Sequence, residues 1–184
     1  MDWYQSIFEL IDMRSFSNLW FWIALAVTWS SVSHRVLGVP WDMATRARKA
    51  ARRRGPDDPE TDAERDFEDM VRIATGRILF IAEQSGTLLT GFLGFVLTTL
   101  CLLGFVYRNE FAQALFLLGL PLSLVGLLSV GSARVIRDRA LSGEALFLRM
   151  YRHRMITQVI GTFAIFATAM WGMLQNMSIN PLSG

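Results

Sequence analysis

The feature that most constrains this chain is its alternation of long apolar stretches with short, densely charged ones. A hydrocarbon core about 30 Å thick is crossed by roughly 20 apolar residues of helix. Four stretches reach that length, at about 18–37, 78–107, 111–132 and 155–177. Only the link 108–110 separates the second from the third, which predicts a tight helical hairpin. A soluble domain does not gather 52% hydrophobic residues into so few blocks. The expected fold is therefore an all-α membrane protein, with four transmembrane helices bundled into a single domain over 184 residues. Gly38 and Pro40 close the first stretch, and Pro121 is expected to break the third near its middle.

Charge placement sets the orientation. Lys and Arg accumulate on the cytoplasmic side of membrane proteins. Ten basic residues fall in 35–77 and six in 134–154, which is sixteen of eighteen. Arg14 and Arg108 are the exceptions. An even number of spans then puts both termini outside, which in a bacterium is the periplasm. The first sixteen residues lack the positive start of a signal peptide. Trp3, Ile7, Leu10 and Ile11 share one helical face, opposite Gln5, Glu9 and Asp12, so an N-terminal helix lying on the outer surface is expected.

The loop 38–77 has a split charge. Residues 35–54 carry a net +6 and residues 57–69 a net −7, separated by Gly55 and Pro56. Arg46, Arg48, Lys49, Arg52, Arg53 and Arg54 are candidates for anionic lipid headgroups. The alternatives are a charged hairpin, in which the two halves fold onto each other, and a solvated loop. Nucleic-acid binding is not expected, since topology accounts for the positive charge. Thr61-Asp62-Ala63-Glu64 matches a capping box and predicts a helix start. With no proline from there to Tyr107, the second helix is expected to run as one rod of 46 residues, whose first part either projects into the cytoplasm or bends near Gly76 or Gly86. In the second cytoplasmic loop, 144–154 reads as an amphipathic lead-in to the fourth span.

Polar residues inside a membrane are costly and are functional candidates by default. Glu83 and Gln84 qualify, although a span centred on 86–106 leaves both at the cytoplasmic boundary, where Glu83 would pair with an Arg of the other loop. Gln113, near the outer end of the third span, is expected to bond a neighbouring helix. His34 and His153 fall at similar depth on different helices, so a haem b held between them is an alternative to an interfacial role for each. No cofactor is otherwise indicated. Small residues at helical spacing (Thr90, Gly94 and Thr98; Gly119, Ser123 and Gly126; Ala164, Thr168 and Gly172) suit close helix packing. One cysteine, Cys101, excludes an internal disulfide and a single-chain thiolate cluster. No Walker loop, dinucleotide fingerprint, HExxH or nucleophile motif occurs.

The opening MDWYQSIFELIDMRSFSNLWFWIALAV, with LGVPWDM and FAQALFLLGLPLSLVGLLS further on, resembles a small inner-membrane protein family of the Rhodobacter type of Alphaproteobacteria. The similarity covers most of the chain except 50–66, and members of the family are often labelled as a component of the SufBCD complex. The resemblance implies a bacterial inner-membrane location and supplies no catalytic residues. Iron–sulfur scaffolding needs cysteine-bearing or nucleotide-binding surfaces, and this sequence has neither. The expected function is non-enzymatic, that of an accessory, assembly or scaffold subunit contacting membrane lipids and other membrane subunits or itself. The alternatives are a homo-oligomeric channel or small transporter using Glu83, Gln84 and Pro121, and a haem- or quinone-binding redox subunit.

Overall fold

The computed structural model describes residues 15–55 and 58–179. The expected N-terminal interfacial helix lies outside the described residues. A short 3-10 turn, Ser15–Ser17, leads into α1 (Leu19–His34). A two-stranded hairpin, β1 (Arg35–Val36) and β2 (Val39–Pro40), is followed by α2 (Trp41–Arg53). Then come α3 (Asp62–Cys101), a π-helical turn (Leu102–Val106), α4 (Glu110–Asp138) and α5 (Gly143–Ile179). Three helical stretches are long and apolar enough to cross a membrane: Asp62–Val106, Glu110–Asp138 and Gly143–Met177.

The first expected span, 18–37, is shorter than drawn. α1 has 16 residues and ends at His34, not at Leu37. Leu37 and Gly38 both take positive φ, 54° and 83°, and form a two-residue turn between paired strands, Val36 opposite Val39. That is the backbone of a tight hairpin, whose twist suits two central residues with φ > 0. Pro121 does not break its helix either, since α4 runs through it. Its cost is the one N–H that the carbonyl four residues earlier would have accepted. α3 is continuous through Gly76 and Gly86, and the departure from α geometry falls instead at Leu102–Val106.

The helix starts follow local chemistry. At α3 the Thr61 N–H donates to Glu64 Oε2 at 2.8 Å, and Glu64 N–H donates back to Thr61 Oγ1 at 3.4 Å, closing the capping box. The Thr61 N–H, and after it the Thr61 Oγ1–H at 2.8 Å from the same Oε2, hold the Glu64 carboxyl below the usual carboxylate range. At α4 the Asn109 side chain accepts from Ala112 N–H at 3.0 Å. At α5 the Glu68 carboxylate accepts from Gly143 N–H at 2.6 Å, placing a negative charge at the positive end of the helix dipole.

The described residues fall into two compact units. One gathers 15–29, 90–123 and 160–179 and is built on Phe16, Leu25, Trp29, Ala112, Ala114, Ala164 and Thr168. The other comprises Ser30–Leu89 and Leu124–Val159. Its core takes Val36 and Val39 from the hairpin and Ala44 and Ala47 from α2. Phe67 and Val71 come from α3, Ile136 from α4, and Leu146, Phe147 and Met150 from α5.

Candidate functional site

Two polar clusters stand out, one in each unit. In the first, Gln113 is 2% exposed, and both ends of its amide are engaged. Its Nε2–H donates to the Gly104 carbonyl at 2.8 Å. Its Oε1 accepts from Trp171 Nε1 at 2.9 Å and from Gln175 Nε2 at 3.0 Å. The π-helical turn brings Gly104 to this side chain. A Cβ at Gly104 would sit 2.9 Å from Gln113 N, so only glycine allows the approach. Phe105 packs edge-on against Phe116 and Trp171 beside it, with centroids at 5.6 and 5.3 Å. The cluster thus ties the end of the π turn, the first turn of α4 and the last turns of α5 together.

In the second unit, Ser132 and His153 are buried together, with the half-buried Arg149 beside them. His153 is 4% exposed, with Nδ1 3.0 Å from Ser132 Oγ, and Arg149 Nη2 donates to the same Oγ at 3.4 Å. With one proton and two lone pairs, the Ser132 hydroxyl can serve Arg149 and Nδ1 together in either tautomer of the ring. His153 lies outside the apolar stretch that begins at Met155. Burial, and then the charge of Arg149, push its pKa down to about 4. His34 is exposed, with Nδ1 2.8 Å from the Ser30 carbonyl of its own helix. The two histidines for which haem ligation was the alternative reading are each engaged on a different local partner. Among the described residues, no three His, Cys, Asp or Glu side chains converge as a metal site.

Glu83 Oε1 accepts from Arg137 Nη1 at 2.6 Å, an exposed pair between α3 and α4. Gln84 is exposed one residue further on. The six basic residues assigned to headgroups split by role. Arg48 donates to Glu144 at 2.8 Å and lies over the Phe147 ring at 4.2 Å. Arg54 pairs with Glu64 at 3.4 Å. Arg46 pairs with Asp42 one turn back at 3.0 Å. Lys49, Arg52 and Arg53 are exposed. A cavity of about 220 Å³ between α2, α3 and α5 is ringed by Arg48, Arg54, Glu64, Glu68 and Glu144, which are already bonded to one another or to a backbone N–H.

The three small-residue patches also divide. Ala164, Thr168 and Gly172 are buried on α5, where Phe16 and Trp22 fill the space over Gly172. Gly161 belongs to the same face and was missed as a packing position, although it stands three residues before Ala164. A Cβ there would come 2.7 Å from the Trp29 ring. Gly119 meets Leu97 at an ordinary 3.5 Å, and Ser123 Oγ–H donates to the Leu120 carbonyl at 2.6 Å. Gly126 is exposed. Thr90, Gly94 and Thr98 on α3 are exposed as well, and a Cβ at Gly94 would meet nothing within 4 Å. Compared with known proteins, the chain matches no protein-family model, no curated protein and no solved structure.

Proposed function

We propose that this chain is a non-enzymatic, multi-pass subunit of the bacterial inner membrane that docks to or scaffolds a larger membrane assembly. The observation that carries this reading is the unfilled face of α3. Thr90, Gly94 and Thr98 are exposed between Phe92 and Phe95, which are 67% and 69% exposed. The equivalent spacing on α5 is filled by aromatic side chains of the same chain. Lipid gains nothing from a small-residue face, whereas a partner helix gains close backbone approach. The resemblance to the Rhodobacter-type inner-membrane family fits the same location.

Four spans remain the reading, with both termini periplasmic. α1 is about 24 Å long at 1.5 Å per residue, somewhat short of a bilayer core. Support for its crossing comes from Ser17, whose Oγ–H donates to Asn176 Oδ1 at 2.8 Å. Asn176 lies near the end of α5, while Arg149, Arg152 and Arg154 lie in its first third. The start of α1 therefore shares a side with the end of α5, and Arg35 after α1 shares a side with the cationic loops.

Affinity purification of the tagged protein in mild detergent tests the assembly role. A partner subunit is expected to co-purify with the wild type and to be lost from Gly94→Leu, which adds bulk to open space. A wild-type protein that runs alone as a monomer overturns the reading.

A further inference from the structure

α3 changes character abruptly at Gly76 and Arg77. Up to Arg77 it is densely charged; beyond it Glu83 is its one charged residue, and the next in the chain is Arg108. The stretch 78–106 is about 44 Å long at 1.5 Å per residue, which matches the roughly 40–45 Å of a bilayer with its headgroup layers. On that footing Arg72 and Arg77 reach the phosphates, and Phe80 and Ile81 lie just beneath them.

A surface groove of about 350 Å³ is cut into α3 at this level, lined by Arg72, Ile73, Gly76, Arg77, Phe80 and Ile81. A second groove of about 510 Å³ shares Arg72 and Gly76 and extends over Val71, Leu79 and Ile136 to Arg137. Gly76 opens both, since a Cβ there would meet nothing within 4 Å. The charges are unevenly committed. Arg137 is neutralised by Glu83 at 2.6 Å, and Arg72 holds Asp69 at 2.8 Å in an exposed pair of the weak kind. Arg77 is exposed and makes no ion pair among the described residues. Glu68, the other acid lining the second groove, is bonded to Gly143 N–H. Arg72, Arg77 and Asp69 together leave one positive charge beside exposed apolar side chains.

We propose that this groove seats one anionic phospholipid, its phosphodiester held by Arg72 and Arg77 and its acyl chains laid along Phe80 and Ile81. A headgroup of net charge −1 balances the residual +1, which a zwitterionic headgroup does not. Lys49, Arg52 and Arg53 on α2 do not offer the same combination. The apolar side of α2, Ala44 and Ala47, is buried against its own unit, so those cations have no groove for a chain. The lipid seat rests on the membrane placement argued above.

The test is native mass spectrometry of the full chain, purified from nanodiscs of phosphatidylglycerol and phosphatidylcholine in equal amounts. The wild type is expected to retain phosphatidylglycerol in preference. Arg77→Gln should weaken that preference about fivefold, the worth of one cation near an anionic surface. Gly76→Phe, whose Cβ meets nothing within 4 Å and whose ring adds bulk to the groove, should abolish it. The triple variant Lys49→Gln, Arg52→Gln, Arg53→Gln should keep it. Equal retention of the two lipids by the wild type overturns the proposal, as does an unchanged preference in Gly76→Phe with helical circular dichroism intact. Alkaline carbonate washing separates this outcome from the broader reading. Protein that stays in the membrane pellet but shows no lipid preference removes the lipid seat alone, and protein released by the wash removes the membrane placement.

Discussion

Gln113 has a single amide and uses both ends of it inside the chain. Three hydrogen bonds in a membrane bundle, at about 0.6 kcal/mol each, set a floor near 2 kcal/mol. Gln113→Leu also strands the Gly104 carbonyl and the Trp171 N–H, so a loss of about 2–4 kcal/mol is expected, read as a lower thermal midpoint of the helical signal in detergent. The position was recognisable in the sequence as a costly polar residue near a span end. Its main partner was not, because the Gly104 carbonyl becomes available through the π-helical turn, which no residue pattern announces. His153 gives a pH-dependent counterpart. Its pKa is about 4 in the folded chain against an ordinary 6.5. Above pH 6.5 both states are neutral and the contribution of the buried ring is whole. As pH falls toward 4, the unfolded chain takes up a proton that the folded chain refuses, and stability is lost. The thermal midpoint is therefore expected to fall between pH 6.5 and 4, and His153→Gln should remove that part of the decline. An identical pH profile in the variant would show that other groups carry it.

Two glycines of similar appearance have opposite roles once the helices pack. Gly161 on α5 faces the Trp29 ring, with room for no Cβ, and Trp29 is itself 4% exposed. Gly161→Ala forces the ring or the helix to shift and is expected to cost about 1–3 kcal/mol. Gly94→Ala meets open space, so the better helix propensity of alanine should leave stability unchanged or raise it by up to about 1 kcal/mol. Thermal unfolding of the two variants side by side distinguishes them, and an equal loss in both would contradict this division of faces. The spacing of small residues marks both helices as packing surfaces. What it does not contain is the occupant. Phe16, Trp22 and Trp29 fill the α5 face from more than a hundred positions away in the chain, while nothing described covers Thr90, Gly94 and Thr98. Turn chemistry was similarly half-visible. Gly38 and Pro40 mark the end of the first apolar stretch, but the left-handed Leu37 that moves the helix end back to His34 carries no signature of its own.

Hydropathy and charge order the whole chain more firmly than any single residue does. The long apolar stretches of α3, α4 and α5 were readable because each is long enough to cross a bilayer and has a cationic cluster at one end only. α1 is the exception, at 16 residues, and its crossing turns on the side occupied by Ser17. Cysteine labelling decides this in a Cys101→Ser background, since Cys101 is the one native thiol. In cells with a permeabilised outer membrane, an impermeant maleimide is expected to label Arg108→Cys at the exposed link between α3 and α4. Ser142→Cys, exposed between the cationic ends of α4 and α5, should react only after the inner membrane is opened. Ser17→Cys is the informative position. If α1 crosses, Ser17 shares the outer side with Asn176 and labels like Arg108→Cys. Labelling like Ser142→Cys instead would leave three spans, and the hydrogen bond from Ser17 to Asn176 could not then form across a bilayer.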